Sequence, residues 1–110
     1  MASTGALETT TAANFDADVI QSDQPVLVDF SAGWCPPCQM LAPVLESLAT
    51  ELAGRVRVVY VDVDSQPELA ARFGIQSIPA LHLYRGGQQV GTRRGFQSRE
   101  QLIEWIDSSA

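Results

Sequence analysis

The chain has 110 residues and a mass of 11.9 kDa, which is enough for one domain with its own hydrophobic core. Its 45% hydrophobic and 18% charged residues are typical of a globular protein and exclude an intrinsically disordered one. No apolar stretch approaches the length of a membrane-spanning helix, so we expect no membrane association. The net charge of −6 argues against nucleic-acid binding, because contacts to phosphates need a basic surface.

Residues 1–6 are small and polar, and we expect a flexible tail there, followed by a single domain over residues 7–110. The N-terminal segment has neither the basic nor the apolar stretch of a signal peptide, which predicts a cytoplasmic protein. The two cysteines, Cys35 and Cys38, form one C-x-x-C pair. In a cytoplasmic protein such a close pair indicates redox or metal chemistry rather than a structural disulfide.

The first half of the chain predicts two short elements and then a buried strand. Leu7–Thr9 is a candidate edge strand, and Asn14 is a candidate cap for a helix that buries Phe15 and Val19. Residues 26–31 (Val-Leu-Val-Asp-Phe-Ser) form a nearly continuous apolar run. Such a run is typical of a strand that is covered on both faces of its sheet.

A long helix and a second apolar strand follow the cysteines. From Leu41 to Leu52 the apolar residues recur at the spacing of one helical face, and Gly54 should end that helix. Residues 56–61 form the second apolar strand. Two strands joined by a helix of this length form a β-α-β unit, so we expect parallel pairing and a right-handed crossover.

The last third predicts a short helix, a hairpin and a final helix. Ser65–Glu68 has the pattern of a capping box and should open a helix that ends at Gly74. Gly86-Gly87 predicts a hairpin between two antiparallel strands, and Ser98–Gln101 is a second capping box. The final helix should turn three residues inward: Leu102, Ile103 and Ile106. The whole order predicts an α/β fold, a mixed sheet with helices on both faces.

The C-x-x-C pair lies directly after a strand and at the start of a helix. A thiolate is the nucleophile of disulfide exchange, and the backbone N–H groups and dipole of a helix N-terminus stabilise it. We therefore expect Cys35 to be the exposed, attacking sulfur. Cys38, one turn further on, would be the resolving sulfur that releases the product from a mixed disulfide.

The alternative for the cysteines is a metal site. Zinc takes four nitrogen or sulfur ligands, and the chain offers the two cysteines and a single histidine, His82. A zinc or iron–sulfur site would need cysteines from two chains of a dimer. We favour redox chemistry, expect no metal, and interpret His82 as a structural residue of its strand.

Asp29 is the candidate general base. Strand alternation points it away from Val28 and Phe30, inside a strand that is expected to be buried on both faces. Burial without a charged partner raises the pKa of a carboxyl group, which would let Asp29 take a proton from Cys38 near neutral pH. The alternative is an ordinary solvated strand residue.

Residues 28–43 (Val-Asp-Phe-Ser-Ala-Gly-Trp-Cys-Pro-Pro-Cys-Gln-Met-Leu-Ala-Pro), Ile78-Pro79, Gly86-Gly87 and Gly95 resemble the thioredoxin family, and the resemblance extends from about Leu7 to Ile106. It implies a five-stranded mixed sheet flanked by four helices. It also implies a monomeric thiol–disulfide oxidoreductase that reduces protein disulfides through a mixed disulfide. Electrons would come from NADPH through a thioredoxin reductase, with no other cofactor than the Cys35–Cys38 disulfide.

The resemblance also assigns roles to single residues. Asp29 would lie beneath the disulfide as the general base. Trp34 would line a substrate groove at the surface. The bond between Ile78 and Pro79 would be cis and face the disulfide, and Gly95 would let the backbone of a partner approach.

The active-site dipeptide departs from the family pattern. Most members have glycine where Pro36 stands, and Trp-Cys-Pro-Pro-Cys resembles the tryparedoxins and nucleoredoxins, which are longer chains. Neither Pro36 nor Pro37 has a backbone N–H, so that of Cys38 becomes the nearest donor to Cys35. Pro37 also disfavours helical backbone at Pro36, which predicts a helix that begins one residue later. We expect an altered redox potential, of a sign that these arguments leave open.

Three further positions differ. Tyr60 stands where the family usually has a lysine near Asp29, which should make Asp29 harder to ionise. Ser31 stands where the family commonly has a second tryptophan. Arg94 replaces an often apolar residue at the rim of the groove and, with Arg93, should favour partners with acidic residues near their disulfide.

Other functions remain open at this point. The unusual dipeptide is compatible with a disulfide oxidant or isomerase, or with an electron donor dedicated to one partner. A non-catalytic thioredoxin-fold subunit would use the same groove only for binding.

Overall fold

The computed structural model describes residues 7–109, so the predicted tail at residues 1–6 and the last residue lie outside it. Five strands form one mixed sheet in the order β1-β3-β2-β4-β5. The first three strands are mutually parallel, and β4 and β5 are each antiparallel to the strand before them in this order. The strands are β1 Glu8–Thr9, β2 Val26–Ser31, β3 Arg57–Asp62, β4 Ala80–Arg85 and β5 Gln88–Arg94. The predicted α/β fold and five-stranded sheet are confirmed.

Three α-helices and one turn of π-helix flank the sheet within the described residues. The helices are α1 Pro36–Glu51, α2 Pro67–Arg72 and α3 Arg99–Ser108, and the π turn spans Asp16–Ile20. The α1 helix ends shortly before Gly54, as predicted from the sequence. Four helical segments therefore lie where the sequence predicts them.

The β2 strand divides two hydrophobic cores. All six of its residues are buried, because β3 and β4 pair with its two edges and helices cover both faces. Leu27 packs on one face with α1 and α3, whereas Val28 and Phe30 pack on the other with the π turn and α2. Each large apolar side chain buried in this way contributes about 1.5–3 kcal/mol. This central position fixes the end of β2, and with it the start of α1.

The predicted cap at Asn14 is wrong. The π turn begins at Asp16, after Phe15, whose own backbone is already helical, and Asn14 contributes only its carbonyl, which accepts the N–H of Asp18 at 2.8 Å. A capping side chain requires extended backbone at the residue next to the helix, and the early start of the turn removes that geometry. Phe15 and Val19 are buried as predicted.

The first of the two predicted capping boxes is also wrong. Helix α2 begins after Gln66, and the Ser65 hydroxyl donates to the Asp62 carbonyl instead of capping the helix. The Gln66 side chain accepts the N–H of Ala12 at 2.8 Å, so a contact between distant segments replaces the local one. Gly74, at φ +62°, ends the helix as predicted.

The second capping box is confirmed. Ser98 Oγ accepts the N–H of Gln101 at 3.1 Å, and the Gln101 side chain accepts the N–H of Ser98 at 2.8 Å. Leu102 and Ile106 face the core as predicted, with Ile103 partly buried beside them. Trp105 joins the same core, under Gly91 of β5.

The hairpin turn gives a prediction about stability. Gly86 and Gly87 both have positive φ, at +59° and +81°, but only at Gly87 would a Cβ atom lie 2.8 Å from the backbone carbonyl oxygen of Ile20. Gly87→Ala should therefore lower the free energy of unfolding by about 3 kcal/mol, against about 1 kcal/mol for the control Gly86→Ala. Urea denaturation gives the free energy of unfolding of both variants and of the parent. Equal losses would show that the contact with Ile20 relaxes without cost.

Candidate active site

The cysteine pair sits where the chain leaves β2 and enters α1. The intervening loop is held by the N–H of Cys35, which donates to the Ala32 carbonyl at 3.3 Å. The side-chain amide of Gln39 donates to the Gly33 carbonyl at 2.6 Å. These bonds fix Cys35 as the residue that caps the N-terminus of the helix.

Cys35 Sγ accepts a hydrogen bond from the backbone N–H of Cys38 at 3.4 Å. This donor is the one that the sequence predicts, because Pro36 and Pro37 have no N–H. Helix α1 nevertheless begins at Pro36, so the predicted later start is wrong. The fixed φ of proline suits the first helical position, and that preference outweighs the restriction that Pro37 imposes.

The predicted exposure of Cys35 is wrong. Cys35 is 3% exposed and Cys38 is 4% exposed, so exposure does not distinguish the two sulfurs. Cys35 lies under the loop before β4, with its Sγ 3.9 Å from the Ile78 carbonyl oxygen, and that loop comes from a distant part of the chain. What distinguishes the thiols is their environment. The Cys35 sulfur accepts a hydrogen bond from a backbone N–H at the helix N-terminus. The pKa of Cys38 is raised, mainly by burial and next by the hydrogen bond between Cys38 and Cys35.

Asp29 is buried, as predicted, with 2% of its surface exposed, and strand alternation places it on the face of β2 that α1 covers. Burial raises its pKa from the ordinary 3.8 to about 7, and the hydrogen bond from the Ser31 hydroxyl to Oδ1, at 2.5 Å, offsets part of that rise. In the β2–β3 register Asp29 lies directly opposite Tyr60. Burial and then the nearby acids, first Asp62 and next Asp29, raise the pKa of Tyr60, so this neighbour stays uncharged.

The loop before β4 and the end of β5 form the second wall of the site. The Ile78–Pro79 bond is cis, and the Pro79 carbonyl accepts the N–H of Gly95 at 2.9 Å. Gly95 has φ +77°, and no atom lies within 4 Å of the place that a Cβ would take. An open space beside a glycine at this conformation lets another backbone approach.

Trp34 and Arg94 are the two exposed side chains that the sequence predicts at the edge of the substrate groove. Trp34 is 66% exposed, and its indole N–H donates to Asp64 Oδ2 at 2.7 Å, which fixes the ring at the surface. Arg94 is exposed and lies opposite Ala80 in the β4–β5 register. None of the ion pairs found within residues 7–109 involves Arg94. Its neighbour Arg93 instead stacks on the ring of Trp105 at 4.8 Å.

His82 lies apart from the cysteines. Its ring packs 4.9 Å from that of Phe30 in the core on the α2 face, whereas the cysteines belong to α1 on the other face. Burial, and then the charge of Arg94, lower the pKa of His82. Within residues 7–109 no three histidine, cysteine or acidic side chains are grouped as a metal site would require. The structure therefore agrees with a packing role for His82.

Sequence reasoning missed two contacts of the site. The family pattern indicates only that Ser31 stands where a tryptophan is common. Strand alternation, however, places Ser31 on the same face of β2 as Asp29, to which it donates a hydrogen bond. Asp64, which holds Trp34, has no local signal because it lies 30 residues further along the chain.

A pair of thiols at a helix N-terminus, next to a buried carboxyl group and at one end of this mixed sheet, defines a thiol–disulfide oxidoreductase. Comparison with known proteins agrees, since residues 6–108 match the family model of thioredoxin. The chain is 52% identical over 94 residues to a thioredoxin of Alicyclobacillus acidocaldarius, covering 86% of this chain and 89% of the relative. It is 47% identical over 100 residues to thioredoxin C-2 of Corynebacterium nephridii, covering 91% and 93%. A thioredoxin of Rickettsia bellii is 42% identical over 96 residues, covering 87% and 91%. The chain therefore belongs to the thioredoxin family.

This membership makes the chain a protein-disulfide reductase with Cys35 and Cys38 as its redox-active pair. It does not favour the alternatives that the sequence left open: an oxidant or isomerase, a dedicated donor, and a non-catalytic binding subunit. Thioredoxins in general act on disulfide substrates and are reduced by thioredoxin reductase. No helix within residues 7–109 is long and apolar enough to cross a membrane.

The raised pKa of Asp29 predicts how stability depends on pH. The folded protein binds more protons than the unfolded chain between the ordinary pKa of 3.8 and the folded value of about 7, so stability is lost as the pH rises through that range. Asp29→Asn removes this loss. The difference between the free energies of unfolding of the variant and of the parent is the quantity to compare. It should be about 3 kcal/mol more in favour of the variant at about pH 8 than at about pH 5.

Urea unfolding at the two pH values tests this expectation. Asp23→Asn, at an exposed position, controls for the removal of one negative charge. An equal effect of Asp29→Asn at both pH values would mean that Asp29 ionises as readily in the folded protein as in the unfolded chain.

Proposed function

We propose that the chain reduces disulfides of partner proteins in two exchange steps. The Cys35 thiolate attacks one sulfur of the partner, and the other sulfur leaves as a thiolate. The Cys38 thiolate then attacks Cys35 Sγ, which closes the Cys35–Cys38 disulfide and releases the second partner sulfur with its electron pair. The observation that supports Cys35 as the attacking sulfur is the hydrogen bond from the Cys38 N–H to Cys35 Sγ, because it stabilises negative charge on Cys35.

Asp29 is the general base of the second step. Cys38 must lose a proton before it attacks, and its raised pKa makes that loss unfavourable without help. A buried carboxyl group with a pKa of about 7 is suited to accept this proton near neutral pH. Tyr60 has no positive charge, so it does not oppose the effect of burial on the pKa of Asp29.

The substrate binds as an extended segment in a groove between Trp34 on one side and Ile78, Pro79 and Gly95 on the other. The exposed indole offers an apolar surface, and the open space beside Gly95 leaves room for a backbone. Arg94 adds a positive charge at the rim. Acidic residues near the partner's disulfide would interact favourably with it.

Pro36 and Pro37 adjust the redox potential of the pair, since they leave the Cys38 N–H as the donor to Cys35. Electrons reach the disulfide from NADPH through a thioredoxin reductase, and the chain uses no metal or bound organic cofactor. It works as a monomer in the cytoplasm, without nucleic-acid or membrane partners. The net charge of −6 and the properties of the family support this part of the proposal.

Serine variants test the two steps. Cys35→Ser should abolish insulin reduction, because it removes the attacking sulfur. Cys38→Ser should still react once and then remain joined to its substrate as a mixed disulfide, detected as an added mass that dithiothreitol removes. Attachment of substrate to the Cys35→Ser variant at an equal rate would reverse the assigned roles.

A redox titration in glutathione and dithiothreitol buffers separates a reductase from an oxidant. A strongly reducing potential together with Cys35-dependent turnover supports the proposal. A potential close to that of disulfide isomerases, about 90 mV above that of general reductases, would contradict it.

The charge at Arg94 should decide between substrates. We expect the parent to reduce a disulfide peptide with flanking glutamates faster than the same peptide with glutamines, and Arg94→Glu to lower this preference about three- to tenfold at low salt. Arg55→Glu makes the same change of charge at another exposed site. If the preference for the glutamate peptide is unchanged in Arg94→Glu, or is lowered equally by both variants, then Arg94 does not contact the substrate.

A further inference from the structure

We propose that His82, Thr92 and Arg94 form a subsite that binds the carboxylate group of an acidic side chain of the partner protein. The subsite is a small cavity on the α2 face of the sheet, beside the proposed substrate groove. This inference rests on that groove. It adds that one acidic side chain of the partner enters a cavity of matching chemistry, in which a buried histidine is one of the donors.

The cavity has a volume of ≈ 30 Å³ and lies between the loop that follows α2 and the paired strands β4 and β5. His82 lies opposite Thr92 in the β4–β5 register, and Arg94 is two residues further along β5. The three side chains therefore point to one face of the sheet. That face is the one that α2 covers, since the His82 ring packs 4.9 Å from the ring of Phe30. His82 is buried, whereas four polar residues of the lining are exposed: Gln76, Ser77, Thr92 and Arg94.

The polar groups of the cavity suit an anion. Within the described part of the chain no acidic residue lines it. Arg94 has only hydrogen-bond donors, and the hydroxyl group of Thr92 can donate as well. Arg93 also lines the cavity, but its guanidinium stacks on Trp105 at 4.8 Å, which leaves Arg94 as the cation of the site. An anion can therefore gain both an ion pair and hydrogen bonds there.

His82 supplies the buried donor. Its Nδ1 is the ring nitrogen that is closed off from solvent with no hydrogen-bond partner within residues 7–109, so Nε2 is the nitrogen that can reach the cavity. Burial, and then the charge of Arg94, lower the pKa of His82, so the ring is neutral near pH 7 and carries one N–H proton. A buried N–H without a partner is costly, which favours this proton on Nε2. The Nε2–H group can then donate to an anion in the cavity.

The size and place of the cavity indicate a carboxylate group from the partner. A volume of ≈ 30 Å³ holds about two water-sized groups, which is enough for two carboxylate oxygens and too little for a nucleotide. The cavity and the groove share two segments of the chain. Ser77 directly precedes Ile78 in one segment, and Arg94 directly precedes Gly95 in the other. A partner segment that lies along the groove therefore brings its side chains close to the cavity.

The first test observes the histidine directly by nuclear magnetic resonance. His82 is the single histidine of the chain, so its ring gives one set of nitrogen and proton signals. The Cys38→Ser variant is joined through Cys35 to a peptide with glutamates beside its cysteine, and the same complex with a glutamine peptide is the control. In the glutamate complex we expect the proton on Nε2 to move to lower field and to exchange more slowly with water, because it is donated to the carboxylate. Identical His82 signals in the two complexes would overturn the subsite.

Two variants of His82 test the same contact in the reaction. The quantity measured is the preference, which is kcat/KM for a glutamate-flanked disulfide peptide divided by kcat/KM for its glutamine counterpart. His82→Leu removes the donor and should lower this preference about fivefold or more, whereas His82→Gln keeps an N–H group and should stay within about twofold of the parent. His82→Leu also removes a buried unpaired nitrogen, so we expect it to fold. Equal preferences in the two variants would overturn the role of His82.

Further outcomes separate the subsite from the function on which it rests. If Cys38→Ser forms no mixed disulfide with either peptide, the proposed exchange reaction is wrong, and the subsite with it. If the mixed disulfides form, and Arg94→Glu lowers the preference but His82→Leu does not, then Arg94 acts only as a surface charge and the subsite alone is wrong. Sodium acetate, with sodium chloride at equal ionic strength as its control, tests a free carboxylate. If acetate moves the His82 signals and the glutamate peptide does not, the assignment to a partner side chain is overturned.

Discussion

The β2 strand is hydrogen-bonded to a neighbour along both edges and covered by a helical layer on both faces. Its six buried residues leave little freedom at its end, where the chain turns into α1. The positions of Asp29, Ser31 and the first turn of α1 therefore follow from one constraint. Because side chains alternate along a strand, the residues that build the α2-side core also force Asp29 and Ser31 towards α1.

This constraint makes the buried carboxyl group costly in stability, and it suits the group to the proton transfer that we propose for it. An aspartate in the middle of a strand with no cation nearby resists ionisation, and its pKa of about 7 reflects that cost. The same value lets the carboxylate exchange a proton near neutral pH. Ser31 offsets part of this cost through its hydrogen bond, whereas Tyr60, directly opposite Asp29, has no positive charge to offer. An active site that sacrifices stability in this way is a common pattern in enzymes.

The proposed substrate groove depends on pairings between distant segments. The loop before β4 covers Cys35 only because β4 pairs with β2, and Gly95 meets Pro79 because β5 pairs with β4. Trp34 is held at the rim by Asp64, which follows β3.

The sequence by itself determined the features that neighbouring residues encode. Apolar alternation and periodicity predicted β2 and α1, the Gly86-Gly87 pair predicted the hairpin, and the C-x-x-C pair predicted the redox chemistry. Local rules failed where another segment supplied a stronger contact: Gln66 bonds to Ala12 rather than completing a cap, and the loop at Ile78 buries Cys35. Burial and long-range hydrogen bonds depend on which segments meet in the folded chain, and the spacing of residues along the sequence does not contain that information.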